Sequence, residues 1–196
     1  MRAYTELPSG YREVDSIDLQ KDKKPALLVN GLALLIVLAM AIPMHFVVPV
    51  TDLFDMSQGY GSYFLRFGVL LGAIIVYMVL HELVHGITMK MCGTKKVKYG
   101  FTGLYAFAGS EDYYDRKSYI TIALAPIVVL GAVLLVLNFL VPTQWFWVVY
   151  WIQISNISGA AGDLYVTCRF SRLPADILVQ DYGVGMTVYS AEVEER

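Results

Sequence analysis

Charge is what this 196-residue chain has least of: 16% of its residues are Asp, Glu, Lys or Arg, against the ~25% usual in soluble domains. The shortage comes in blocks. No charged side chain of these four types occurs from Ala26 to Val50, from Phe67 to His81 or from Ser118 to Gly162, and runs of that length can cross a ~30 Å hydrocarbon core. Cysteine is scarce too, with Cys92 and Cys168 each beside a basic residue at the end of an apolar run. A reducing cytoplasmic setting without a structural disulfide is expected from that. The formal net charge of −2 excludes a basic nucleic-acid binder, and 57% hydrophobic residues exclude a disordered chain. No cleavable signal is expected, because the first apolar run starts after about 25 polar, mixed-charge residues and is too long for a signal-peptide core. The composition is that of an integral membrane protein.

The runs predict an all-α membrane protein of four transmembrane helices, with short β-hairpin or loop elements on the cytoplasmic side. The spans fall at about 26–50, 64–91, 118–141 and 144–168, the last two divided by a break at Pro142 and Thr143 that the interfacial aromatics Trp145, Phe146, Trp147, Tyr150 and Trp151 follow. Residues 1–25 then form a cytoplasmic N-terminal segment, 26–172 the membrane core and 173–196 a cytoplasmic tail. Five Lys/Arg precede the first span, six lie between Lys90 and Lys117 and three follow Cys168, whereas the other two loops hold only Arg66. The positive-inside rule therefore puts both termini and the central loop in the cytoplasm, with a bacterial cell membrane as the expected location.

Within the spans the ionisable residues are His45, His81, Glu82, His85 and Asp163, and such groups are costly in a bilayer and mark function by default. His81-Glu82-Leu83-Val84-His85 is H-E-x-x-H: on a helix its histidines project from one face a turn apart, suited to one zinc, with Glu82 placed to act on water. A catalytic zinc needs a third protein ligand, and Asp163 is the first charge after 45 uncharged residues. At ~1.5 Å per residue, His81 and His85 lie ~26 to 32 Å from Phe64 and Asp163 lies ~28 Å from Gln144, so two parallel helices present them at one depth. Asn156, seven residues before Asp163, shares its helical face and can donate to a substrate carbonyl or to another helix. His45 reads as an interfacial or packing residue, Gly68, Gly72 and Gly131 as helix contacts, and Glu111, Asp112, Asp115, Arg116 and Lys117 as a solvated loop.

H-E-L-V-H-G within a span, a Lys/Tyr/Gly-rich segment after it and the later N-I-S-G-A-A-G-D resemble the site-2 protease class of intramembrane zinc metalloproteases. From Leu7-Pro8 to the Val179–Tyr189 tail the chain resembles, more closely, a small bacterial membrane family of zincin peptidases. Carried over residue by residue, the resemblance implies Zn²⁺ held by His81, His85 and Asp163, with Glu82 as catalytic base and Asn156 assisting. This chain departs from the class where Gly159 replaces a proline and where Gly162 precedes Asp163 instead of following it. The class also has short strands after the motif helix on which unwound substrate pairs. Alternation of Val97, Tyr99 and Phe101 with Lys96, Lys98 and Gly100 fits such a strand, making Gly100, Phe101 and Tyr105 the candidate substrate contacts and Lys95–Ser110 the candidate entry. A basic-aromatic loop held at lipid headgroups fits the same residues. The C-terminal Ile177–Val179 and Met186–Tyr189 can form a small hairpin.

The function expected is a zinc-dependent intramembrane metallopeptidase, acting on membrane-associated protein or peptide substrates near the cytoplasmic face. A metal-binding transporter or a non-catalytic scaffold would use the same residues. Four spans without an evident inverted repeat disfavour transport, and Glu82, a non-ligand between two ligands, has an immediate purpose in hydrolysis and less in transport. The lipid bilayer is the expected partner and nucleic acid is not. Oligomeric state is open.

Overall fold

The computed structural model describes residues 2–18, 21–103, 106–183 and 185–191. In chain order the elements are β1 (Ala3–Tyr4), β2 (Arg12–Ile17), α1 (Lys23–His45), a 3-10 turn (Val50–Phe54), α2 (Tyr60–Met91), β3 (Lys98–Phe101), β4 (Ala106–Gly109), β5 (Tyr113–Asp115), α3 (Arg116–Leu140), α4 (Thr143–Gly159), α5 (Ala161–Phe170), β6 (Leu178–Asp181) and β7 (Met186–Ser190). Helices α1, α2 and α3 are each long and apolar enough to cross a membrane.

Helix limits follow local chemistry. α1 ends at His45 rather than near Val50, because Pro49 biases the residue before it away from helix and has no N–H to give; the His45 Nδ1 accepts the Val50 N–H at 3.1 Å instead. α2 closes on a glycine in the left-handed region, Gly93 at φ +109, with Thr94 N–H donating to Met89 O and Gly93 N–H to Lys90 O, the paired bonds that satisfy the last carbonyls of a helix. Asp115, expected in a solvated loop, starts α3 by accepting the Ser118 N–H at 2.8 Å. Arg116 donates to Leu173 O at 2.6 Å.

The segment expected as one span at 144–168 is two helices. α4 stops at Gly159, Ala160 leaves helical geometry at ψ 17, and α5 begins at Ala161. Gly159-Ala160-Ala161-Gly162 offers almost no side chain to pack across a turn, so the backbone can leave the helix there at little cost. Asp163 thereby falls in the first turn of α5, where backbone N–H groups and the helix dipole favour a negative charge.

The residues divide into two compact units, Met1–Val29 with Glu82–Pro126 and Gly162–Arg196, and Asn30–His81 with Ile127–Ala161. The first holds an antiparallel five-stranded sheet in the order β1-β5-β6-β7-β2 and the separate β3–β4 hairpin. The C-terminal hairpin expected from sequence is β6–β7, enlarged by β5 on one side and by the N-terminal β2 on the other. Its core includes Ile17, Met89, Tyr114, Ile122, Phe170 and Val179, and Arg169 holds Asp15 through two 2.7 Å bonds, a bidentate pair. In the second unit Trp147 packs with Leu53, Val148 and Ile154, and Tyr77 with Leu134 and Ile152. Gly131 is a helix contact there, with Asn156 Nδ2 3.1 Å from where its Cβ would be. Gly68 and Gly72 have no described residue within 4 Å of that position. Cys92 and Cys168 are free.

Candidate metal centre

His81, Glu82 and His85 lie on the uninterrupted helix α2, so one turn separates the two imidazoles on one face. Asp163 comes from α5. One ligand atom from each of His81, His85 and Asp163 lies within 4.8 Å of the others, and His85 Nε2 is 3.6 Å from Asp163 Oδ1. Two donors each ~2.0–2.1 Å from one zinc can be no more than ~4.2 Å apart, so the second distance fits a shared ion.

Both imidazoles have their other nitrogen committed, which fixes the tautomer that a metal requires. His85 Nδ1 is 2.9 Å from the Ile122 carbonyl, a pure acceptor, so Nδ1 carries the proton and Nε2 is the ligand atom. That carbonyl is available because Pro126, inside α3, lacks the N–H that residue 122 would otherwise accept four residues on. His81 Nδ1 is 3.0 Å from the Tyr77 hydroxyl one turn earlier on α2, and that hydroxyl donates to Ser155 O at 3.4 Å. Tyr77 therefore accepts the His81 Nδ1 proton and directs its Nε2 towards a ligand role. Two neutral imidazoles and a carboxylate, with His81 and His85 buried, are the donor set of a catalytic zinc.

Glu82, partly exposed, lies between the two histidines in sequence, one residue after His81 and three before His85. Asn156 is fully buried and its Nδ2 donates to Ile127 O at 3.2 Å, so it bonds helix to helix, the second of the two roles open to it from sequence. His45 accepts the Val50 N–H and lines an apolar cavity of about 320 Å³ with Trp147 and Trp151, as expected for a packing residue. Of the expected substrate contacts, Phe101 is exposed on β3, Gly100 is covered by the Phe107 ring across the hairpin, and Tyr105 lies outside the described residues.

A second carboxylate near the cluster was not legible in the sequence. Asp181, at the end of β6, accepts the Tyr119 hydroxyl and the Gly183 N–H at 2.8 Å each. Burial pushes its carboxyl above the usual range, the two hydrogen bonds pull it back, and the charges of His85 and Asp163 act on it in opposite directions. The signal available was weak, an Asp within the expected tail hairpin.

Residues 74–178 match the family described as "Putative zincin peptidase". An "Uncharacterized 24.7 kDa protein in gap 5'region" of Pyrococcus woesei is 30% identical over 118 residues, 58% of this chain and 51% of that protein. The chain thus spans about half the length of this curated relative. No solved structure matches it. The family match covers more than half of the chain and contains Glu82 and the three residues that the geometry gathers, His81, His85 and Asp163, and the chain belongs to this zincin peptidase family.

Proposed function

We propose that the protein is a zinc-dependent intramembrane metallopeptidase of the site-2 type, cleaving membrane-associated protein substrates near the cytoplasmic face. The observation that carries the reading is the His81/His85/Asp163 cluster, whose imidazoles are both oriented by second hydrogen bonds. A zinc ion bound there would supply Lewis acidity, polarising a substrate carbonyl and lowering the pKa of water towards ~7. His81, His85 and Asp163 would hold it, and Asp163 would offset part of its charge. Glu82 takes the proton of the attacking water and returns it to the leaving amine, a role worth ~10²- to 10⁴-fold in rate. β3 pairs with β4 alone among the described strands, so its other edge suits the backbone of an extended substrate.

The membrane topology rests on the sheet. N-terminal β1 and β2, central β5 and C-terminal β6 and β7 are hydrogen-bonded together, so all three regions belong on one side of a bilayer. An even number of crossings must separate each from the next. α1 with α2, and α3 with α4 and α5, would supply two pairs, and the Lys/Arg distribution favours a cytoplasmic sheet.

The test joins metal content to cleavage. Purified wild type and Glu82→Gln should each hold one zinc, whereas His85→Ala and Asp163→Ala should lose it. Cells overproducing wild type should show new protein N-termini in the membrane fraction that are absent with Glu82→Gln. Zinc-loaded wild type that generates no N-terminus beyond those of Glu82→Gln would overturn the peptidase reading.

A further inference from the structure

A hydrolytic site needs a hydrogen-bond donor aimed at the carbonyl oxygen that becomes charged as water adds to the peptide. Asn156 does not fill that need, since its amide nitrogen is bonded to Ile127 O and its side chain is fully buried. The part of the chain that carries Glu82 holds another donor in position, Tyr99 on β3.

The Tyr99 hydroxyl oxygen lies only 2.0 Å from where a Cβ of Gly86 would stand, with Cζ at 2.6 Å and Cε1 at 3.0 Å. The phenol tip therefore rests on bare α2 backbone immediately after the ligand His85. Gly86 is four residues after Glu82, so the two share a face, with Cβ positions ~5–6 Å apart in any helix. The Cα–Cβ direction leans towards the helix N-terminus, so an atom at the Gly86 Cβ position overhangs the turn that bears Glu82. That places the hydroxyl within one side-chain length of the base.

Two further facts separate this from ordinary packing. The Tyr99 hydroxyl makes no hydrogen bond to any other described residue, and the residue is 47% exposed, so a substrate can reach it. The hairpin is held by other means. Phe107 is wedged between Gly100 and Gly183, whose absent Cβ atoms would lie 2.4 Å and 2.1 Å from its ring, and Ser110 N–H donates to Asp181 O at 2.7 Å.

We propose that Tyr99 is a catalytic residue whose hydroxyl donates a hydrogen bond to the scissile carbonyl oxygen as it gains negative charge, and that Gly86 lacks a side chain to admit it. The proposal rests on the peptidase reading above. Tyr99 transfers no proton: Glu82 moves the proton from water to the leaving nitrogen, and the Tyr99 O–H stays intact throughout.

The test uses the full-length zinc-loaded protein in detergent, with a synthetic peptide spanning one mapped cleavage site and the same peptide bearing a phosphinic group in place of the scissile bond. Tyr99→Phe keeps the ring on Gly86 and removes only the donor. Expected are a ~10²- to 10³-fold fall in kcat, KM within about twofold, unchanged zinc content and melting temperature, and phosphinic-peptide affinity weakened by the same factor as kcat/KM. Gly86→Ala, which displaces the phenol, should lower kcat in the same direction with zinc retained. Tyr99→Phe with wild-type kcat and wild-type phosphinic affinity would overturn the role of Tyr99 while leaving the peptidase reading intact. Loss of zinc in Tyr99→Phe, or equal weakening of substrate and phosphinic peptide, would also overturn it, by showing a structural or uniform-binding role. Absence of any Glu82-dependent cleavage would remove both.

Discussion

Pro126 and Tyr77 do for the two histidines what their own positions cannot. A helical spacing of four puts His81 and His85 on one face, but an imidazole can still rotate and change tautomer. The bonds from His85 Nδ1 to Ile122 O and from His81 Nδ1 to Tyr77 Oη remove that freedom. Outer-shell partners of this kind are worth ~10- to 100-fold in metal affinity. Tyr77→Phe should therefore weaken zinc about tenfold in a chelator competition titration with the fold intact, and unchanged affinity would show that the hydroxyl does not orient His81. The histidines, Glu82 and Asp163 are visible in the sequence because each is a polar exception in an apolar run. Tyr77 and Pro126 are not, because a tyrosine or proline in such a run looks like filler, and a backbone carbonyl freed by a missing N–H has no side-chain signature.

Among the elements, the strands were the least legible. β2 reads Arg-Glu-Val-Asp-Ser-Ile, with only Ile17 buried and a bulge between Glu13 and Asp15. It is an edge strand, where charge and bulges protect against further pairing and erase the apolar alternation that marks a strand. β6 and β7 are apolar enough to see, but their neighbours are not local in sequence. One result of that sheet is the placement of Asp181. Because burial raises its pKa in the fold, the folded protein binds that proton more tightly than the unfolded chain does. Its contribution is then most favourable below the unfolded carboxyl value of ~3.9 and declines as pH rises through that value to the folded one. Asp181→Asn keeps the shape and removes the charge. In the metal-free protein it should melt higher than wild type at pH 8, with the gap closing towards pH 4. A deficit of constant size across that range would mean that the Tyr119 and Gly183 bonds outweigh the buried charge.

For the whole molecule, charge asymmetry and strand pairing support the proposed topology by independent routes. Fourteen Lys/Arg lie before Pro25, from Lys90 to Lys117 and after Cys168, against Arg66 alone elsewhere, near the start of α2. This bias orients helices during insertion. The sheet was assembled from the same three segments, and hydrogen-bonded strands cannot be divided between two aqueous compartments. In a Cys168→Ser background, Glu111→Cys reports the exposed loop between β4 and β5, and Ser57→Cys reports the loop between α1 and α2, both exposed. A membrane-impermeant maleimide added to intact cells should label Ser57→Cys and spare Glu111→Cys until the membrane is opened. Labelling of both in intact cells, or of Glu111→Cys alone, would overturn the four-span orientation. It would also move the metal centre to the other face, because Asp163 and the sheet belong to the same compact unit.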